Sequence, residues 1–530
     1  MQVCSTRDAG VRLSFNDSLL AGLPPGGGLY QPCPPPDLTE VIAGLPDDTR
    51  YVDLAAALTE ALLADELATG ASGSATAAGA ADGEGPDRAE TSAGVGGGAH
   101  AVSSTHADAG DMAAAASRRV GAGAGSAAGA GVAGADPEAT ADVTGVGAGT
   151  GGGGQAAAHA VAAAAYPFAP ALSWLGDEMA LLELYHGPTC AFKDFGAAFL
   201  ATILERRLAA ETGGAPVVVL VATSGDTGGA VARAFWHRAG IEVVLLYPSG
   251  RISRLQEQQL TALGDNVHAV EIAGSFDDCQ RLVKQALVDR ALVSAARLCP
   301  ANSISLGRLL PQAYYYIFAG LRLRAAGPPL LCVPSGNFGN LTAAVYAAQW
   351  GLPVAGFWAA TNSNDVVPGY LESGALLPRA SVATLSNAMD VGNPSNFERI
   401  LARWNHDHAA VGTYLKGCAI GEEETLATMR QVHERYGRLI EPHTAVGIAA
   451  ARRLRAQGAT VGSDRAPIVV AATADPGKFP ETVQRATGVS PPIPAPLQEL
   501  LDRPKQATPL APSFPALRAF ILARTAAGAG

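Results

Sequence analysis

VVVLVATSGDTGGAVARAF, residues 217–235, decides the fold. Its opening VVVLVAT is an unbroken apolar, largely β-branched run, which suits a strand covered on both faces. A Ser-Gly-Asp-Thr-Gly turn follows, and helical spacing begins at about Gly228. The same alternation continues outward. EVVLLYP (242–248), VHAVEIA (267–273), LLCVPS (330–335), VAGFWAA (354–360) and IVVAATA (468–474) read as strands. LQEQQLTAL, FDDCQRLVKQALVDR and NLTAAVYAAQWG read as the helices between them. Strands alternating with helices predict an α/β architecture with mostly parallel sheets and right-handed crossovers.

The chain has 530 residues, room for two or three domains at roughly 150 residues each. Residues 1–67 form an N-terminal segment, with YVDLAAALTEALLADEL as a helix. Over 68–165 the composition collapses to Gly, Ala, Ser and Thr. Such a stretch buries too little apolar surface to offset its ordering entropy, so it reads as an unstructured insertion. Residues 166–488 carry the α/β pattern as two subdomains, and 489–530 read as a loosely packed, Pro-rich tail.

A net charge of −11 with 16% charged residues argues against wrapping nucleic acid, which needs clustered Lys and Arg. No run of about 20 bulky apolar residues suggests a membrane span. The seven cysteines form no CxxC pair and read as reduced intracellular thiols; no metal is expected. The opening MQVCSTRDAGVRLSF shows neither a signal core nor an Arg/Ser-rich amphipathic stretch. The expected setting is cytoplasmic, and a plastid would serve amino-acid synthesis equally.

Only five lysines exist: Lys193, Lys284, Lys416, Lys478 and Lys505. Lys193 lies in LLELYHGPTCAFKDFGAAFLA (181–201), at the entrance of an amphipathic helix. A lysine that attacks a carbonyl carbon needs a partly desolvated setting, which Phe192 and Phe195 could supply. Read locally, Lys193 fits better a surface lysine beside an aspartate on an amphipathic helix. Two turns bear on the choice: ATSGDTGGAVARAF (222–235) and VPSGNFGNLTAA (333–344). Each links a strand to a helix, where free amides and the helix N-terminus favour an anion. Each alone also fits a tight turn with no ligand. Two with one S-G-[DN]-x-G pattern suggest a doubled architecture and at least one phosphate.

These residues resemble a known family. ELYHGPTCAFKDFG is similar to the cofactor-lysine motif of threonine synthases, of the bacterial and fungal type. SGDTG, NSISLGRLLPQ (302–312), PSGNFGN, DVGNPSNFER (390–399), EPHTAVG (441–447) and ATADPGKF (472–479) resemble further motifs of that family, in order. The N-terminal STRDAGVRLSFNDSLLAGLPPGGGLYQP resembles its opening. The likeness spans about 1–67 and 166–487, leaving the insertion and the tail unmatched.

The resemblance implies a type II pyridoxal-phosphate fold, similar to the β subunit of tryptophan synthase, with the site in a cleft between two α/β domains. Lys193 matches the lysine that carries pyridoxal 5′-phosphate as a Schiff base and is the expected catalytic residue. Gly336, Asn337, Phe338, Gly339 and Asn340 match the loop around the cofactor phosphate, and Thr473 the residue at the pyridine nitrogen. Asp226 falls near the ring hydroxyl and the substrate carboxylate. Ser224, Thr227 and Gly228 would line that region. The implied substrate is O-phospho-L-homoserine, with Asn302, Ser303 and Arg308 as candidates to hold it. Arg308 suits bidentate phosphate binding, or a structural salt bridge. Lys478 reads as a solvated lysine or an anion contact. His186 reads as structural, and Asp475 stands where the family usually has histidine.

The implied enzyme is a carbon–oxygen lyase acting on a phosphate ester: γ-elimination of phosphate, then β-hydration, giving L-threonine. Two rivals share these residues. One is a related phospho-lyase that eliminates phosphate without adding water. The other is an inactive paralogue that only binds ligand.

Overall fold

The computed structural model describes residues 1–69, 152–177, 179–211, 214–223, 225–458 and 466–527. Two sheets dominate. One has five parallel strands in the order Ala507–Leu510, Val267–Ile272, Ile241–Pro248, Val217–Ala222, Leu298–Pro300. The other runs Leu415–Ala419, Gly356–Thr361, Leu330–Pro334, Ile468–Ala472, Met179–Glu183, Ala171–Leu175. It is parallel except for its last pair, where Ala171 faces Glu183 and Leu175 faces Met179. A small antiparallel sheet, Arg12–Ser14, Gln2–Ser5, Tyr30–Pro32, opens the chain.

The α/β expectation holds, and its reason is burial. Every residue of Val217–Ala222 and of Leu330–Pro334 is buried. Helices cover such strands on both faces, so the runs carry no polar alternation. Between the crossovers, the helix Gln312–Arg322 is buried from Gln312 to Leu321, including three consecutive tyrosines, Tyr314, Tyr315 and Tyr316.

Two expectations at the margins are corrected. The Gly/Ala-rich tract does not lack structure as far as 165: Gly152–Ala165 is a helix packed on Tyr51–Thr69. Ala158, Val161, Ala162 and Ala165 are buried at i, i+3, i+4, i+7 spacing. From Gln155 to Ala165 the tract contains no glycine, and alanine has the highest intrinsic helix propensity. Residues 70–151 of the expected insertion lie outside the described residues.

The tail is not loose either. Ala507–Leu510 pairs with Val267–Ile272 as an edge strand, a place that tolerates Pro509. Leu517 and Ile521, one turn apart on Phe514–Ala527, are fully buried. Leu497 packs against Cys190 and Leu255. Lys505 bridges Glu257 at 2.7 Å and Glu271 at 2.9 Å.

No helix among the described residues is long and apolar enough to cross a membrane. The described residues hold no cluster of three metal-ligating side chains.

Candidate active site

Four loops leave the carboxyl ends of parallel strands and meet at one cleft: those after Met179–Glu183, Val217–Ala222, Leu330–Pro334 and Ile468–Ala472. Ligands of open α/β sheets bind at such strand ends. The cleft holds about 760 Å³ of empty space, its open mouth included. Lys193, Asp226, Thr227, Ser303, Arg308, Thr473 and the whole turn Ser335–Asn340 line it.

Lys193 opens the helix Lys193–Ala209. Its approach is fixed by the hydrogen bond from Phe192 N to Thr473 O at 2.9 Å. Next to it, Asp194 points away and accepts from Thr189 N at 2.9 Å and Thr189 Oγ1 at 2.5 Å. Burial lifts the Asp194 carboxyl to about 6 against those bonds. Lys193 Nζ lies 3.5 Å from Asp226 Oδ2 and 4.6 Å from the centre of the Phe192 ring. Burial pulls its amine below the ordinary lysine range; Asp226 opposes that, while Lys478 and Arg308 reinforce it. A largely buried lysine with a lowered pKa, its side chain 13% exposed to the cleft, is the state that nucleophilic chemistry needs. The surface-lysine reading fails.

The turn at 335–340 has a geometry that can receive an anion. Phe338 sits at φ 62°, and no side chain caps the helix Gly339–Gln349 that follows. The first amide of that helix to find a backbone acceptor is Thr342 N, bonded to Phe338 O at 2.9 Å. The amides before it are the free donors of a helix start. Gly336 is glycine for space: a Cβ there would sit 2.6 Å from Met389 Cα. Side chains of the turn work behind it. Asn337 Nδ2 donates to Ser303 Oγ at 2.5 Å, and its Oδ1 accepts from Ser395 N at 2.6 Å. Asn340 Oδ1 accepts from Tyr315 OH and Tyr316 OH at 2.6 and 2.7 Å, while its buried Nδ2 has no partner.

Arg308 also faces the cleft and is 3% exposed. Nη1 donates to Ala301 O at 2.7 Å, Nε has no partner, and among the described residues no carboxylate pairs with it. Burial lowers it to about 10, with Asp194 opposing. The salt-bridge reading therefore fails. A buried, unpaired guanidinium is costly, and a bound anion would relieve that cost.

Two expected residues fall elsewhere, and a third, Ser224, lies outside the described residues. Gly228 is packed, not lining: a Cβ there would meet Leu260 Cδ2 and Thr223 Cγ2 at 2.5 Å, and its amide donates to Thr223 Oγ1 at 2.8 Å. Asn302 is not among the lining residues either, and its Oδ1 is buried without a partner. The solvated reading of Lys478 is also corrected. Its side chain is fully buried, with Nζ 2.9 Å from Asp226 Oδ1 and 2.9 Å from Thr189 O. His186 bonds Glu183 at 2.8 Å, consistent with a structural place, and Asp475 caps Gly477 N at 2.7 Å.

Gln312, Ala388, Met389 and His443 line the cleft and were not anticipated. His443 was legible in part. In EPHTAVG, a capping Glu followed by Pro marks a helix start. Glu441 is that cap, fully buried, accepting from His443 N, Thr444 N, Thr444 Oγ1 and His443 Nδ1. Burial would raise its carboxyl, but His443 and these bonds bring it below the ordinary range. His443 Nε2 accepts from Ala388 N at 3.2 Å, which leaves the ring proton on Nδ1.

Pyridoxal phosphate needs an uncharged amine, a phosphate cradle and a hydrogen-bond partner for its ring nitrogen. The residues fit: Lys193, the uncapped turn with its space-demanding Gly336, and Thr473 line one cleft.

Comparison with known proteins agrees. The model of the pyridoxal-phosphate dependent enzymes matches 169–473, "threonine synthase N terminus" matches 2–71 and "threonine synthase, C-terminal" matches 444–521. The last match covers much of the tail that had been left unmatched. Threonine synthase of Serratia marcescens is 44% identical over 360 residues, 68% of this chain and 81% of that protein. The crystal structure of threonine synthase from Escherichia coli superposes with a TM-score of 0.75 at 32% identity, covering 99% of this chain and 100% of that one. A pyridoxal-phosphate-bound threonine synthase from Brucella melitensis gives 0.75 at 30%, with 99% of each chain covered. With family models matching 2–71, 169–473 and 444–521, a relative 44% identical and a solved threonine synthase superposing over 99% of this chain, the chain belongs to the threonine synthase family of pyridoxal-phosphate-dependent enzymes.

Proposed function

We propose that this cleft converts O-phospho-L-homoserine and water to L-threonine and phosphate, with Lys193 as the proton-handling residue. The observation that carries this reading is a second anion site. Arg308 lies buried and unpaired in the same cleft as the free amides of the turn at 335–340. One site suits the cofactor phosphate, the other a phosphate on the substrate.

Bound there, pyridoxal phosphate supplies an electron sink for the carbanion chemistry. Lys193 would carry it with Asp226 alongside, the amides of Gly336 to Asn340 would hold its phosphate, and the Thr473 hydroxyl would partner its ring nitrogen. The free Lys193 amine takes a proton from the substrate's Cα and one from Cβ, and delivers one to Cγ after phosphate has left so that Cγ becomes the methyl carbon, as one positioned amine can. Arg308 holds the substrate phosphate and takes charge from it as the Cγ–O bond breaks. Ser303, pinned by Asn337, adds a hydroxyl donor beside it. Water adds its hydroxyl at Cβ and gives its other proton to the released phosphate, Lys193 returns a proton to Cα, and threonine leaves.

The test is to supply O-phospho-L-homoserine and identify every product by NMR. Equal amounts of threonine and phosphate are expected. Phosphate with ammonia and a carbonyl compound, and no threonine, would overturn the reading in favour of a phospho-lyase. Absence of turnover in a protein that binds the cofactor would favour an inactive paralogue.

A further inference from the structure

We propose that Lys478 is a positioning residue that keeps Asp226 as a paired carboxylate and so leaves the Lys193 amine free to act as a neutral base and nucleophile. The proposal rests on Lys193 being the cofactor lysine and goes beyond it by naming what sets its charge. Lys478 belongs to the turn Pro476–Lys478 and does not line the cleft. Its Nζ is 2.9 Å from Asp226 Oδ1, whereas Lys193 Nζ is 3.5 Å from Asp226 Oδ2. The carboxylate thus lies between two amines and is closer to the one that cannot reach a substrate. Thr189 O, at 2.9 Å, holds Lys478 in place, and Gln256 Nε2 supports the same Asp226 oxygen at 3.4 Å.

Charge balance gives this arrangement its consequence. A lone buried carboxylate beside Lys193 would pair with it and keep it protonated. Paired with Lys478, Asp226 presents Lys193 with little net charge. The other groups are accounted for. Arg308 faces Lys193; His443 faces Asp226; Asp194, Asp475 and Cys190 face Lys478. Burial alone would raise the Asp226 carboxyl, yet Lys478 first and Lys193 second hold it far below the ordinary range.

The test uses the full-length chain as Lys478→Met, Lys478→Arg, Asp226→Asn and the double variant Lys478→Met/Asp226→Asn. Two midpoints are read against pH. One is the rate at which cofactor-free chain captures added pyridoxal phosphate, followed by absorbance. Capture needs a neutral amine, whose lone pair bonds the aldehyde carbon while water leaves. The other is the acid limb of kcat for threonine formation.

Lys478→Met should raise both midpoints by about 1–3 pH units, the effect of one near charge. Lys478→Arg should stay near wild type. Asp226→Asn should fall below wild type, and the double variant should return toward it. Should Lys478→Met fail to fold, the double variant against Asp226→Asn still isolates the Lys478 charge. Equal midpoints in that pair, or rates lowered at every pH with no midpoint shift, would overturn the proposal. Failure of the underlying reading looks different: Lys193→Ala would then still capture the cofactor.

Discussion

Replacing Arg308 with methionine separates a ligand-binding arginine from a packing one. The guanidinium makes one hydrogen bond, Nη1 to Ala301 O at 2.7 Å, and pairs with no carboxylate among the described residues. Losing that charged bond costs about 1.5–3 kcal/mol. Removing a buried, unpaired charge offsets or exceeds this cost. The unfolding midpoint of Arg308→Met should therefore be unchanged or higher than wild type. Activity should move the other way. A charged hydrogen bond to phosphate contributes about 1.5–3 kcal/mol, so kcat/KM should fall roughly 10- to 150-fold. Steady-state kinetics with O-phospho-L-homoserine and thermal unfolding by circular dichroism measure the two. A variant that unfolds several degrees lower while keeping kcat/KM would refute the reasoning, because Arg308 would then be holding the fold and not the substrate.

Further expectations follow from single contacts. Gly336→Ala places a methyl 2.6 Å from Met389 Cα; a backbone shift costing about 1–3 kcal/mol should loosen cofactor binding, seen as faster loss of bound pyridoxal phosphate on dialysis, and unchanged retention would count against the cradle. At Glu183, burial opposes ionisation, but bonds from His186, Ser173 and Arg438 prevail and bring the carboxyl from 4.5 to about 2. Since its folded pKa is depressed, its contribution is present above pH 4.5 and is lost as pH falls toward 2. Glu183→Gln should therefore lower the unfolding midpoint at pH 7, and the gap to wild type should close in acid; a gap that stays constant with pH would exclude the linkage. Joining residue 69 to 152 with a short flexible link should preserve turnover and melting temperature. Deleting on to 165 removes buried Val161 and its neighbours, worth about 1.5–3 kcal/mol for the valine alone, and should lower the midpoint; equal melting of the two deletions would contradict the packing.

Most of the two parallel sheets was legible because buried strands such as Val217–Ala222 are written as unbroken apolar runs. Other strands were not. Leu415–Ala419 carries a lysine and a glycine at the sheet edge, and Ala507–Leu510 contains a proline. Each gains its strand character from a neighbour, Gly356–Thr361 or Val267–Ile272, that local sequence does not display. The helix Gly152–Ala165 was hidden by its composition: averaged with the glycines before it, an alanine-rich stretch looks unstructured, although its buried positions repeat at helical spacing.

In the site, the turn at 335–340 was readable because glycine between a strand and a helix has a local signature, whereas Lys193, ambiguous by itself, was readable only through the family motif around it. Lys478 was misread because its partner Asp226 comes from the other sheet's crossover helix, Asp226–Phe235. Gly228 was misread because a glycine that admits Leu260 and Thr223 looks, in one dimension, like one that admits a ligand.

The most direct measurement is to reduce the cofactor-loaded protein with borohydride, digest it and map the pyridoxyl group by mass spectrometry. Five lysines could carry it. The label should fall on the peptide holding Lys193 alone. A label on Lys284, Lys416, Lys478 or Lys505, with Lys193 unmodified, would contradict the account.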